Sequence, residues 1–201
     1  MIRFYYHCFG LKPSDERFLA DALKELAQCL RTEPTKLDIT LIRLGDEPEL
    51  EKKVNAELGP LSDDLMGNKF SIYSLTIKSV LEKTLKLTLP RLLVYCPGES
   101  HIAKVAIRSA NIQSWGLTDD FFAAVYKQGN KWIIWHEALH TLGADECYDK
   151  KTLKPKPNCT LGPSCVMQYV HTNPKKTLAK WPFLCKENVR LLQEFRDKVN
   201  P

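Results

Sequence analysis

Hydrophobic residues recur with two different spacings along the chain, at every second position in some segments and at every third or fourth position in others. Apolar and polar residues alternate in Ile2 to Phe9 and again in Leu37 to Leu44, which is typical of strands. Between them, apolar residues recur three and four positions apart from Asp15 to Arg31, behind the capping sequence Pro13-Ser14-Asp15. This middle segment is predicted to be an amphipathic helix whose apolar stripe packs on a sheet.

The same two periods predict elements in the rest of the chain. They are a charged helix at Asp46 to Leu58, strands at Phe70 to Ile77, Arg91 to Cys96 and Phe121 to Tyr126, and helices at Lys131 to Leu142 and Lys186 to Val199. Residues 78 to 90 fit either a helix or a strand. Because helices and strands alternate through the first 130 residues, the sequence predicts an α/β domain with a twisted mixed sheet and packed helices. We expect residues 1–201 to form one domain, with a sheet-and-helix subdomain (1–143) and a loop-rich C-terminal subdomain (144–201) that ends in a helix.

Composition and charge narrow the classes of function. The chain has 201 residues, of which 44% are hydrophobic and 26% are charged, as in globular proteins. Its apolar runs are far shorter than the roughly 20 residues that cross a bilayer, and no export signal is visible, so we expect a soluble, cytoplasmic monomer without a membrane partner. The net charge of +5 is modest, and aromatic residues do not interleave with the late lysines, so no nucleic-acid partner is expected.

The most informative motif lies in the predicted helix at Lys131 to Leu142. His136 and His140 are four residues apart, so both imidazoles lie on one helix face and can bind one Zn²⁺ ion. Glu137 is one position further round, where its carboxylate can accept a proton from a zinc-bound water and return it to a leaving amine. A separate apolar stripe is expected to bury the helix against the sheet and to leave the histidine face towards a cleft. The stripe consists of Trp132, Trp135, Leu139 and Leu142.

The residues after this motif offer a third metal ligand. Gly143 comes three residues after His140, where a left-handed turn would end the helix and bend the chain back towards the metal. Glu146 is then the predicted third ligand, and a His₂Glu set is an established catalytic zinc site. Asp145 and His171 are the alternatives.

The cysteines are distributed unevenly along the chain. Four of the seven fall in its last third: Cys147, Cys159, Cys165 and Cys185. Because clustered cysteines in a reducing compartment bind metal more often than they form bridges, these four are predicted to hold a second, structural zinc ion that ties the long loop to the final helix. Two disulfides are the alternative. The remaining three, Cys8, Cys29 and Cys96, are expected to be free core thiols.

The motif continues into a longer pattern. The sequence His-Glu-x-x-His-x-x-Gly, three more residues and a cysteine is formed by His136, Glu137, His140, Gly143 and Cys147. Cys165-Val166-Met167 follows, and Cys185 comes after seventeen further residues. In these features, over about residues 132 to 190, the chain resembles the archaemetzincin family of metzincin-type zinc peptidases.

The resemblance implies a metzincin-like fold with an active-site helix that binds zinc. It also implies that Met167 lies in a Met-turn, an apolar floor beneath the zinc-binding histidines. Val166-Met167-Gln168-Tyr169 is similar to the corresponding turn of the astacins, in which the tyrosine lies near the zinc. Tyr169 is therefore expected to donate a hydrogen bond to the oxyanion of the reaction.

The chain departs from the archaemetzincin pattern at three places. The third zinc ligand of that family is a histidine, whereas position 146 is a glutamate. Cys147 and Cys165 are separated by seventeen residues instead of four, and Asn188 occupies the position of the last family cysteine. Cys159 lies inside the enlarged loop, where it could supply the missing sulfur.

Together these observations predict a zinc metallopeptidase that hydrolyses peptide bonds. Its catalytic zinc would be held by His136, His140 and Glu146, with Glu137 as general base and acid, and its partner would be a peptide or protein substrate extended along an edge strand. The alternative is a zinc-stabilised module that binds peptides or other partners without turnover. A hydrolysis assay separates the two.

Overall fold

The protein is described by a computed structural model that covers residues 1–10, 12–32, 34–45, 48–58, 69–86, 91–98, 100, 114–118, 121–127, 131–168 and 183–199. Its helices are α1 (Pro13–Arg31), α2 (Pro48–Leu58), α3 (Lys69–Leu85), α4 (Lys131–His140) and α5 (Lys186–Val199). Its strands are β1 (Ile2–Cys8), β2 (Ile39–Arg43), β3 (Arg91–Cys96), β4 (Ser114–Thr118) and β5 (Phe122–Lys127). Over these ranges, no helix has both the length and the apolar character that crossing a bilayer requires.

The strands form one five-stranded sheet in the order β2-β1-β3-β5-β4. β1 pairs in parallel with β2 and β3, and β3 pairs in parallel with β5. β4 runs antiparallel to β5 and lies at the edge of the sheet. The prediction of an α/β domain with a mixed sheet is therefore confirmed.

Helices cover both faces of the sheet, because alternate residues of each central strand point to opposite sides. In β3, Leu93 and Tyr95 join the core cluster that contains the apolar faces of α1 and α4. The neighbouring residues Leu92 and Val94 join the cluster of α2 and α3 on the other face. The molecule thus has three layers, and α4 lies in the same layer as α1.

Two side chains fix the position of α4 against its neighbours. The indole of Trp135 is buried and donates a hydrogen bond to the carbonyl of Ala22 in α1, at 2.8 Å. The guanidinium of Arg91 donates to the carbonyl of Thr141 at 2.6 Å, and its Cζ lies 4.3 Å from the ring centroid of Phe195 in α5. The C-terminal end of α4 is therefore connected to both β3 and α5.

The strand predicted at Phe70 to Ile77 is wrong, because this segment belongs to helix α3. The buried positions Ile77, Val80 and Leu81 follow a helical spacing and pack in the same cluster as Leu50 of α2. The short window up to residue 77 contains only the first of these three. Residues 78 to 85, which fitted either a helix or a strand, are helical and belong to α3. Strand β4 was not predicted from the sequence.

Helix α4 is buried on every side, which corrects the expectation of one apolar stripe and an open histidine face. All residues from Trp132 to Leu139 are buried, and His136 is only 3% exposed. The histidine face is covered by the segment after the helix, where Val166 and Met167 join the core cluster of α4. The helix also ends at His140, two residues before the predicted Leu142.

Candidate metal centres

The first candidate centre is the histidine–glutamate group, formed by His136, His140 and Glu146. The Nε2 atoms of the two histidines lie 3.1 Å apart. Glu146 Oε2 is 3.2 Å from His136 Nε2, and Glu146 Oε1 is 3.4 Å from His140 Nε2. The structure therefore brings all three predicted ligands together, although Glu146 comes ten positions after His136 in the sequence.

Hydrogen bonds at the outer nitrogens set the tautomers of both imidazoles. His136 Nδ1 lies 2.9 Å from the carbonyl oxygen of Val166, and His140 Nδ1 lies 2.9 Å from that of Ala144. A carbonyl oxygen can only accept, so each Nδ1 carries a proton and donates it. In the neutral rings each Nε2 then presents a lone pair, as metal-binding histidines do.

Three acceptor groups therefore converge on one point, and a cation satisfies all of them. In a tetrahedral zinc site with bonds of roughly 2.0–2.1 Å, neighbouring ligand atoms are about 3.3 Å apart, close to the separations of the histidine–glutamate group. Glu146 Oε2 is buried, and no group in the described part of the chain donates a hydrogen bond of acceptable geometry to it. The donor set, its spacing and this buried oxygen all fit a bound zinc ion.

The electrostatics of the group also favour positive charge. Burial would lower the pKa of His136, but Glu146 and Glu137 outweigh it and raise that pKa. Burial would raise the pKa of Glu146, but the adjacent imidazoles of His136 and His140, in their protonated form, hold it well below its ordinary value. Glu146 therefore stays ionised, and protons and metal ions compete for the imidazoles.

The alternative ligands behave differently. Asp145 points outward and pairs with Lys156, with 3.0 Å between Oδ2 and Nζ, and its side chain is 66% exposed. His171 and the predicted oxyanion donor Tyr169 lie outside the described residues. Glu137 is buried next to His136 on α4, and its charge acts on that imidazole.

Gly143 ends α4 in a left-handed turn, as predicted. Its φ is +93°, and its N–H donates to the carbonyl of His140 at 2.9 Å. The next residue, Ala144, supplies the carbonyl that fixes His140, so the turn both redirects the chain and completes the support of a ligand. A Cβ at Gly143 would meet Phe195 at an ordinary contact distance of 3.5 Å, so the backbone angle is what requires glycine.

Gly143→Ala is therefore expected to lower the free energy of unfolding by about 1–3 kcal/mol, because alanine is strained at this φ. Urea denaturation of the metal-free protein measures it. Gly45→Ala is the matched control, since Gly45 lies outside the left-handed region and a Cβ there would meet none of the described residues within 4 Å. That control should change stability by less than about 1 kcal/mol, and equal losses in the two variants would contradict the backbone argument.

The second candidate centre is the cysteine cluster, formed by the buried Cys147, Cys159, Cys165 and Cys185. Their sulfurs all lie within 4.8 Å of one another, and Cys147 Sγ is 3.5 Å from Cys165 Sγ and 3.3 Å from Cys185 Sγ. Four thiolates around zinc, with bonds of about 2.3 Å, are about 3.8 Å apart. The cluster thus has the size of a tetrahedral Cys₄ site and includes Cys159, from the enlarged loop.

Cys185 is the sulfur of the cluster that ionises most easily. Cys147 and Cys165 donate hydrogen bonds to it and, with the main chain and carboxamide of Asn188, lower its pKa to about 2. The residue directly precedes α5, and a helix N-terminus stabilises a thiolate. The pKa of Cys147 is raised, because hydrogen bonding with Cys165 and Cys185 favours its thiol form and burial disfavours its thiolate. Cysteine binds a metal ion as the thiolate, so a metal ion can replace protons in this cluster.

None of the seven cysteines, all of which lie in the described part of the chain, forms a disulfide in the structure. Cys96 is fully buried, whereas Cys8 and Cys29 are only partly buried, so the prediction of core thiols fits Cys96 best. Burial is the main cause that raises the pKa of Cys8, to about 12. These three thiols are therefore poor nucleophiles and metal ligands near neutral pH.

Thiol counting tests the free state of the cluster. Protein that is stripped of metal and denatured without reductant is expected to expose seven reactive thiols. A count of three, with four sulfurs blocked, would mean two disulfides instead of a second metal site. Mass analysis after alkylation identifies which cysteines have reacted.

Several contacts that support the two centres were not predicted from the sequence. Met167, the predicted Met-turn residue, is buried, and its carbonyl accepts a hydrogen bond from the Cys147 N–H at 2.8 Å. The carboxamide of Gln168 donates to the Cys147 carbonyl at 2.9 Å. Asn188, noted in the sequence only as a missing cysteine, is buried against Asp145 and Cys147. These contacts join distant parts of the chain, so no local pattern signals them.

Comparison of the chain with protein-family models, with curated proteins and with solved structures finds no match in any of the three. Any assignment of function therefore depends on the geometry and chemistry of the two centres.

Proposed function

We propose that this protein is a zinc-dependent peptidase of the metzincin type, similar to the archaemetzincins. The observation that carries the proposal is the convergence of His136 Nε2, His140 Nε2 and the Glu146 carboxylate within 3.1–3.4 Å, with both Nδ1 protons fixed on carbonyl oxygens. Two neutral imidazoles and one carboxylate form a catalytic zinc set, in which three protein ligands leave a position open.

The residues around the proposed zinc have separate roles. When bound, the ion supplies a Lewis acid that makes water nucleophilic near neutral pH and polarises a substrate carbonyl. Glu137, next to His136 on α4, accepts the proton of the attacking water and returns it to the leaving amine. The carbonyls of Val166 and Ala144 keep the two imidazoles in the tautomer that presents Nε2. Tyr169 remains a proposed donor to the oxyanion.

Strand β4 is the proposed place for the substrate. It lies at the edge of the sheet, and it packs against α4, the helix that carries both histidines. An extended peptide can add to such an edge through main-chain hydrogen bonds, which recognise the backbone whatever the side chains are. The substrate would then be an unfolded or extended segment of a peptide or protein.

The cysteine cluster is proposed to hold a structural zinc ion. All four sulfurs are buried, and a closed Cys₄ set has no open position for a substrate. The segment from Asp149 to Lys156 between its members is largely exposed and contributes little to the apolar core, so a metal would stabilise it directly.

Metal analysis together with a hydrolysis assay tests the proposed function. Purified protein is expected to contain two zinc ions per chain and to cleave members of a peptide library, identified by mass spectrometry. Dialysis against a chelator should abolish cleavage, and added zinc should restore it. Two zinc ions without cleavage would favour the non-catalytic binding module, and protein that binds no zinc would contradict both functions.

A further inference from the structure

The carboxamide of Asn188 lies between the two metal centres. Asn188 is in the first turn of α5 and only 2% exposed. Its Oδ1 accepts a hydrogen bond from the Asp145 N–H at 2.7 Å, and its Nδ2 donates to the Asp145 carbonyl at 3.0 Å. One side chain thus holds both polar main-chain atoms of the residue that precedes Glu146.

The same carboxamide is anchored on the cysteine cluster. Asn188 Nδ2 lies 3.1 Å from Cys147 Sγ and 3.7 Å from Cys185 Sγ. An amide nitrogen carries two protons, so one can serve the Asp145 carbonyl while the other points to sulfur. The donation strengthens when the sulfur is a thiolate, which is its form as a metal ligand. Metal in the cluster would therefore hold Asn188, and through it Asp145, more firmly.

A second connection runs through the turn at residues 165–168. Cys165 contributes its sulfur to the cluster, and the carbonyl of the next residue, Val166, accepts the hydrogen bond from His136 Nδ1. The turn is closed by the Gln168 N–H, which donates to the Cys165 carbonyl at 3.1 Å. The two centres are thus linked through adjacent residues in two places. The ligand Glu146 directly precedes the cluster residue Cys147, and the cluster residue Cys165 directly precedes Val166, which supports His136.

We propose that Asn188 is a positioning residue that couples the two centres, so that metal in the cysteine cluster raises the affinity of the histidine–glutamate group for metal. The inference rests on the proposed function, since it assumes that both centres bind metal. Coupling of binding free energies is reciprocal, so metal in the histidine–glutamate group also strengthens binding in the cluster. A merely structural contact between α5 and the loop would stabilise the fold without changing either affinity selectively.

Cobalt(II) binding to the full chain tests this coupling without measuring activity. Chelator treatment removes metal from the open histidine–glutamate group and leaves zinc in the closed cluster. Cobalt is then titrated into the first group and followed by its visible absorption, which lacks the near-ultraviolet charge-transfer bands of a thiolate site. Asn188→Leu, nearly the same shape without hydrogen bonds, is expected to raise the Kd for cobalt 10- to 100-fold, as loss of an outer partner of a metal ligand does.

The matched control is Gln193→Leu, on the same helix. Gln193 donates to the Pro34 carbonyl at 2.7 Å, away from both centres, so its loss weakens the packing of α5 without touching Asp145. Its Kd for cobalt should equal that of the parent. Equal affinities in Asn188→Leu and Gln193→Leu would overturn the inference while leaving the proposed function intact.

Two further variants keep the inference testable if leucine at position 188 prevents folding. Asn188→Asp keeps the acceptor for the Asp145 N–H and removes both donations, so a smaller rise in Kd is expected. Cys159→Ser weakens the cluster at a residue whose hydrogen bonds within the described structure are to Lys156 and Gly162, and it should also weaken cobalt binding to the histidine–glutamate group. Unchanged affinity in both variants would overturn the coupling. A parent protein that binds no cobalt outside the cluster would contradict the proposed function itself and the inference with it.

Discussion

Glu137→Gln is expected to lower peptide hydrolysis by about 10²- to 10⁴-fold while zinc stays bound. The side chain keeps its size in a buried position, but an amide cannot accept the proton of the attacking water. Because Glu137 is not one of the three ligands, the zinc content of the variant should equal that of the parent. The measurements are kcat on a cleaved peptide and metal analysis of the same sample.

Glu25→Gln serves as the control for this change. Glu25 lies on α1 and pairs with Lys131, the first residue of α4, at 2.6 Å between Oε1 and Nζ. The substitution therefore removes the same charge next to the same helix but far from the histidines, and an exposed pair of this kind is worth at most about 1 kcal/mol. The turnover of Glu25→Gln should equal that of the parent protein. Parental turnover in Glu137→Gln would exclude the carboxylate as general base, and loss of zinc would make it a ligand or a structural residue.

The periodicity of apolar residues correctly predicted those helices and strands that bury a single face. Helix α1 is amphipathic, and of the apolar positions that predicted it, Leu19, Leu23 and Leu26 are buried and Phe18 is partly buried. Periodicity failed in helix α3, part of which was predicted to be a strand. From residue 75 to residue 84, where burial is described, Ile77, Val80 and Leu81 are buried, while Leu75, in the segment predicted to be a strand, is 52% exposed. A short apolar run is compatible with both periods, and only packing against α2 decides between them.

The candidate site likewise contains residues that are close together in the sequence, which could be predicted, and contacts between residues far apart in the sequence, which could not. His136, His140 and the turn at Gly143 are neighbours in sequence, so helix geometry alone predicts that they act together. The carbonyl of Val166 and the carboxamide of Asn188 come from 30 and 41 to 43 residues away from their partners. Such contacts exist only after the C-terminal segment has folded back over α4, and no spacing rule in the sequence encodes them.

Burial of the histidine face has a consequence for metal binding. His136 is nearly inaccessible, whereas the side chain of His140 is 15% exposed and that of Glu146 12%. Among the three ligands, the exposed surface therefore lies on His140 and Glu146. Variants of Glu146 therefore act at the exposed part of the site and change its chemistry with less effect on the core than variants of His136.

Glu146→Ala is expected to remove zinc from the histidine–glutamate group and to abolish hydrolysis. The loss of affinity should exceed the 10- to 100-fold that is typical of outer partners, because a direct ligand is deleted and His136 and His140 alone remain. Asp145→Ala is the matched control, since Asp145 is the adjacent acid but is exposed and paired with Lys156. Zinc affinity is measured by competition with a chelator, with the cysteine cluster filled in every sample.

Glu146→His separates loss of a ligand from loss of a particular carboxylate. A third imidazole can bind zinc, so metal and some hydrolysis should be retained. Replacing an anionic ligand by a neutral one leaves more positive charge in the site, so water ionises there at lower pH and the acidic limb of the pH–rate profile should shift downward. If Glu146→Ala binds zinc as tightly as the parent while Asp145→Ala or His171→Ala loses it, Glu146 is not the third ligand. The third ligand would then be whichever of Asp145 and His171 is required for zinc binding.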